Sequence, residues 1–131
     1  MSNQEMRRIS VFLMLLNDLY TILAREQGSS EGLWRFEIDL NPAHPIYQGH
    51  FPGHPVTPGA CLTEIVMELS AIALNKSGAI QPKSISNLKF LAPHVPFKPI
   101  CVEISYSRVL GRFTAELSNG VEYYAKMSFV H

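Results

Sequence analysis

Cysteine is scarce. Cys61 and Cys101 are the only two in 131 residues, both set among apolar neighbours. The pair fits neither a disulfide framework nor a metal-ligand spacing, and such a chain suits a reducing, cytoplasmic setting. An excess of either charge is also missing. Lys plus Arg number 11 and Asp plus Glu number 11, a formal net charge of zero. No global field draws nucleic acid or an anionic membrane, and there is no basic-aromatic cluster of the kind that reads nucleic acid. No apolar run approaches the ~20 residues of a membrane span. Residues 11–16, behind Arg7 and Arg8, resemble the apolar core of a leader. Asn17 and Asp18 interrupt that run and no clean small-residue cleavage site follows, which argues against secretion. Repeats, low-complexity tracts and linkers are absent.

What is present reads as one domain over residues 1–131. Its hydrophobic fraction of 47% supplies a core. Combined with zero net charge, it predicts a homodimer or higher homo-oligomer. Residues 33–40 alternate without error: Trp34, Phe36, Ile38 and Leu40 against Arg35, Glu37 and Asp39. Residues 102–107, 112–118 and 121–129 alternate likewise. Gly111 marks the first turn between them and Asn119-Gly120 predicts a two-residue hairpin. That is an antiparallel meander with one apolar face. Residues 84–91 and 19–24 read as further strands, while residues 5–16 fit helix or strand. One long helix, residues 60–76, is apolar nearly all round. Glu64, Glu68 and Asn75 form its narrow polar stripe, Pro58 and Gly59 precede it, and Gly78 is its natural stop. The class is α+β.

The loop at residues 41–59 holds five of the nine prolines and three of the eight glycines. It is therefore long but stiff, and long ordered loops usually serve a purpose. It carries His50 between Gly49 and Phe51, fourteen residues before Glu64. A fixed imidazole and a half-buried carboxylate are the parts needed to move protons on a small molecule. Each also has a plain reading. A loop histidine is common, and the helix dipole favours a carboxylate near the first turns or beside a buried arginine. Glu68, one turn on, reads as a solvated or paired face residue. The Gly59 N–H lies at the mouth of the helix, where unpaired donors favour developing negative charge. Alternatively, Gly59 only lets the chain enter the helix. His44, His50 and His54 match no compact ligand pattern, so no metal is expected. Cys61 and Ser70 lack an exposed nucleophile elbow.

The run from Gln48 through Gly-His-Phe-Pro-Gly-His-Pro-Val-Thr-Pro to Gly59, followed by Glu64, resembles the hotdog-fold 3-hydroxyacyl-[acyl carrier protein] dehydratases. The order of elements agrees, and Lys89-Phe90-Leu91-Ala92-Pro93 with Val95-Pro96 resembles that family's strand after the helix. The resemblance spans roughly residues 18–130. It implies an antiparallel sheet wrapped around one central helix. It also implies two subunits paired sheet edge to sheet edge, with His50 facing the partner chain's Glu64. His50 would remove the proton α to the thioester and Glu64 would protonate or orient the departing 3-hydroxyl. The Gly59 N–H would bind the thioester oxygen, with Phe51 and Pro58 completing the substrate-binding set. No metal or redox cofactor is implied. The partner would be an acyl carrier protein, with Lys83, Lys89, Lys98, Arg108 and Arg112 as candidate contacts.

The chain departs from that family in three ways. The segment before the loop is short and lacks the usual opening sequence, His54 replaces the commoner Asn, and Thr57 and Cys61 stand where bulkier aliphatics are common. These departures imply an acyl tunnel of altered width or polarity and a specialised pathway. Two alternatives remain open: a hotdog acyl thioesterase, or a non-catalytic acyl-carrier-binding subunit.

Overall fold

The computed structural model describes residues 14–48 and 55–131. Six strands form one sheet: β1 (Tyr20–Gln27), β2 (Leu33–Leu40), β3 (Ser84–Phe90), β4 (Ile100–Ser107), β5 (Arg112–Ser118) and β6 (Tyr123–Val130). Their order is β1-β2-β4-β5-β6-β3, and every pairing is antiparallel. A single α-helix, α1 (Gly59–Ala73), and a short 3₁₀ turn (Pro45–Tyr47) complete the described elements.

Alternation puts one row of each central strand on the same face. Phe36 and Ile38 of β2, Ile100, Val102 and Ile104 of β4, Phe113, Ala115 and Leu117 of β5, and Ala125 and Phe129 of β6 have no exposed surface. They share one cluster with Leu62, Ile65, Val66, Leu69 and Ala73 of α1. The helix thus lies in the concave face of the sheet. Burying one such aliphatic or aromatic side chain contributes about 1.5–3 kcal/mol, so this shared core holds α1 in place. Phe113 stacks on Phe129 at 4.8 Å between ring centroids, extending the layer across β5 and β6.

Three local readings of the sequence need correction. The helix ends at Ala73, well before Gly78. Asn75 takes the left-handed conformation at φ 57°, and its N–H donates to the Ile72 carbonyl while the Lys76 N–H donates to Ala71. That pair of bonds is a Schellman motif, and asparagine tolerates its positive φ. The β5–β6 connection is also longer than a two-residue turn, because Ser118 pairs with Tyr123. The Asn119 side chain accepts from the Val121 and Glu122 amides at 2.9 and 2.7 Å, and this Asx turn takes Val121 out of the strand. Finally, Glu68 is not solvated. It is fully buried, and its carboxylate accepts from the Leu15 and Leu16 amides, at 3.0 Å each, and from Tyr20 Oη at 2.9 Å.

Candidate active site

The entry to α1 is built from residues 55–58, which run extended into the helix. Pro58 is the N-cap, at φ −60° and ψ 143°, and offers no side-chain cap. Among the described residues, the Gly59 N–H has no hydrogen-bond acceptor, so the positive end of the helix is left open at this point. Gly59 is required for space rather than for φ. A Cβ there would lie 2.5 Å from Phe90 Cζ, so the Phe90 ring rests directly on the glycine.

This entry forms one wall of a cavity of about 560 Å³. Thr57, Pro58 and Gly59 line it together with Phe90, Leu91 and His94. Phe90 and Leu91 are each 52% exposed, so the mouth is apolar and open to solvent. The site therefore combines a helix N-terminal amide that has no acceptor among the described residues with an oily slot, an arrangement suited to a carbonyl oxygen bearing a hydrocarbon chain.

Behind the wall lies a buried polar chain. Tyr47 Oη is 2.9 Å from Thr57 Oγ1, Thr57 Oγ1 is 2.9 Å from His94 Nδ1, and His94 Nε2 is 2.7 Å from the Lys98 carbonyl oxygen. A carbonyl only accepts, so Nε2 carries the proton of the neutral ring and Nδ1 accepts from the Thr57 hydroxyl. Thr57 in turn accepts from Tyr47. Burial pushes the His94 pKa down, with the bond to Lys98 opposing, and burial pushes the Tyr47 phenol up. Both shifts favour the neutral donors this chain needs. The Thr57 N–H also donates to the His94 carbonyl at 2.9 Å. Sequence reasoning missed His94, because its side-chain partner Thr57 lies 37 residues away.

Glu64 stands on the second turn of α1 with its side chain exposed, and it does not line the cavity. Its carboxyl is nonetheless raised above the ordinary carboxylate range, first by partial burial against the apolar helix and then by the Glu68 carboxylate one turn on. No buried arginine pairs with it among the described residues. The Cys61 thiol is also raised, by burial and then by Glu64, which disfavours its thiolate. The expectations for His50 and Phe51 lie outside the described residues, as does that for His54. His44 is committed to the structure of its own loop, since Nδ1 accepts from the Ile46 amide and Nε2 contacts Asp18 Oδ2 at 3.0 Å. No helix among the described residues is long and apolar enough to cross a membrane.

Comparison with known proteins agrees with this geometry. The family described as ApeI-like, ApeI dehydratase, matches residues 25–127. The 3-hydroxyacyl-[acyl-carrier-protein] dehydratase FabZ of Caulobacter sp. strain K31 is 32% identical over 71 residues, covering 49% of this chain and 44% of that enzyme. The FabZ of Yersinia enterocolitica is 34% identical over 80 residues, covering 53% and 48%. The chain thus spans about half the length of the curated relatives it matches. Among solved structures, the dehydratase heterocomplex ApeI:P from Xenorhabdus doucetiae superposes with a TM-score of 0.73 at 20% identity, covering 84% of this chain and 95% of that one. The mouse thioesterase superfamily member 2 superposes at 0.59 and 14% identity, covering 98% and 96%. These two likenesses establish the fold, while the family match over residues 25–127 goes further: the chain belongs to the ApeI-like dehydratases, on a hotdog fold.

Proposed function

We propose that the chain removes water from 3-hydroxyacyl thioesters borne on an acyl carrier protein, leaving trans-2-enoyl thioesters. The observation that carries this reading is the Gly59 amide at the N-terminus of α1, without an acceptor among the described residues and beside the apolar cavity lined by Phe90 and Leu91. The thioester oxygen docks on that amide, which stabilises the charge that develops when the α-proton leaves. His50, in its neutral form, takes the α-proton. Glu64, in its protonated form, gives its proton to the 3-hydroxyl. The C–O bond breaks, water departs, and the electron pair of the broken C–H bond becomes the second bond of the enoyl group. The proton on His50 then returns to the Glu64 carboxylate or to solvent. No cofactor enters this balance.

Two chains complete the site. Glu64 is exposed on a single chain, and a second chain laid against it would desolvate the carboxyl and raise its proton affinity further. The carrier approaches through exposed basic residues, of which Lys89 adjoins the cavity-lining Phe90 in sequence.

Incubation with a short 3-hydroxyacyl thioester tests the reading. Enoyl absorbance without free thiol is expected. Free thiol means a thioesterase, and neither product means a binding subunit.

A further inference from the structure

Thr57 and His94 are both almost completely buried, at 3% and 1% exposure, and they tie two stretches of chain that the core alone does not join. One is residues 55–59, which deliver the Gly59 amide to the cavity. The other is residues 91–98, of which Leu91, Ala92, Pro93 and His94 also line the cavity. The tie is double: backbone to backbone through the Thr57 N–H and the His94 carbonyl, and side chain to side chain through Thr57 Oγ1 and His94 Nδ1. The ring cannot drift, because Nε2 is held by the Lys98 carbonyl and its face meets Tyr124 edge-on at 4.9 Å. Tyr47, which precedes the His50 stretch in sequence, is fastened to the same hydroxyl. Every polar atom of the His94 ring and the Thr57 hydroxyl is already committed, so neither group is offered to a ligand.

We propose that His94 is a positioning residue, which acts through Thr57 to fix residues 56–59 and hence the Gly59 amide against the cavity. This rests on the dehydratase reading above. The hydrogen-bond polarity gives it a chemical signature, since Nδ1 must accept. A replacement that supplies an acceptor at that point restores the tie, and an apolar replacement of similar bulk does not. An amide displaced by a few tenths of an ångström still admits the thioester but meets the oxyanion poorly, so the loss falls on kcat rather than on KM.

The test compares His94→Leu, His94→Asn and Thr57→Val, reading kcat and KM for a 3-hydroxyacyl thioester, amide hydrogen exchange of residues 56–60, and thermal stability. His94→Leu and Thr57→Val are expected to lower kcat about 10–100-fold with KM within about twofold, and to speed exchange at residues 56–60. The double variant should fall by clearly less than the product of the two single losses, because both remove the Thr57–His94 side-chain bond. His94→Asn should recover most of kcat through its side-chain oxygen. Unchanged kcat in a folded His94→Leu or Thr57→Val protein overturns the proposal, as does an additive double variant. Thr57→Val is close to isosteric, so it keeps the test alive if His94→Leu fails to fold. If the wild-type chain releases thiol or makes no product, the dehydratase reading fails instead. The exchange measurement still decides the tie: unchanged rates at residues 56–60 in both variants overturn it, and faster rates confined there uphold it.

Discussion

Gly59 and Phe90 are bound to each other by space alone. The ring fills the volume a side chain at residue 59 would need, with Cζ 2.5 Å from an ideal Cβ. Gly59→Ala is therefore expected to push Phe90 outward and to impair catalysis, while Gly59→Ala combined with Phe90→Leu should regain part of the loss. Single and double variants assayed side by side decide this. His94 carries a pH signature as well. Unfolded, it takes a proton near its ordinary value of about 6.5; folded, burial holds its pKa lower. Between those two values the unfolded chain binds the extra proton, so stability is full above about 6.5 and falls as pH drops below it. Tm of the wild type should decline across that window, and Tm of the His94→Asn variant should decline less. Glu64 shifts the other way. Its raised pKa keeps it protonated to higher pH than an ordinary carboxyl, so a bell-shaped rate profile should owe its basic limb to Glu64 and its acidic limb to His50. Glu64→Gln should flatten the basic limb.

At the scale of elements, α1 is held at three places: by its apolar faces, by its Schellman end and by Glu68. The last ties it to the chain before β1, through two backbone amides and the Tyr20 hydroxyl. Burial and then the Glu68 charge push the Tyr20 phenol up, which keeps it a donor. Glu68→Leu would leave three donors without an acceptor and is expected to cost about 3 kcal/mol or more, measured by urea denaturation. At the other end, Asn75→Val should cost about 1–2 kcal/mol, since a β-branched residue resists left-handed backbone, while Asn75→Gly should hold or gain stability. These sites also mark what the sequence made legible. The strands of the meander could be read because each has one buried and one open face, so alternation survives in the residues. The helix body could be read because it is apolar all round. Its end at Asn75 lay in plain view, but Gly78 was the more familiar signal. Glu68 was misjudged because the stripe it shares with Glu64 says nothing about what covers it, and its donors lie 48 to 53 residues away. The Pro58–Gly59 entry was legible as chemistry, whereas the Thr57–His94 tie behind it exists only once the fold is closed.

At the scale of the whole molecule, β1 and β3 are the edges of the sheet among the described residues, and they differ. β1 shows one large exposed apolar residue, Leu23, among Arg25 and Glu26, and a register shift beside it. Both edges carry a bulge, between Ile22 and Ala24 in β1 and between Ser86 and Lys89 in β3, so what separates them is apolar exposure. β3 exposes Ile85, Leu88 and Phe90, continued by Leu91, Val95 and Phe97 at 69% exposure. A contiguous apolar surface of this sort marks an interaction site, so β3 is the edge expected to meet a second copy. The same surface flanks the mouth of the cavity, so a second chain seated there would cover the slot as it pairs. A charge placed on this edge, as in Ile85→Lys, should shift sedimentation toward monomer and lower activity together, whereas Leu23→Lys should do neither. The sharper expectation concerns how the two chains share the work. If His50 of one chain serves Glu64 of the other, His50→Ala and Glu64→Ala proteins are each inactive, but a mixed dimer holds one site with both groups intact and one with neither. Random exchange of subunits at equal concentrations gives about half mixed dimers, each with one working site of two, so mixing should restore about a quarter of wild-type activity. That recovery should appear at the rate of subunit exchange and scale with the mixed fraction. Activity that stays absent after proven exchange would place both groups in a single chain, because a mixed dimer would then hold two half-sites and no complete one.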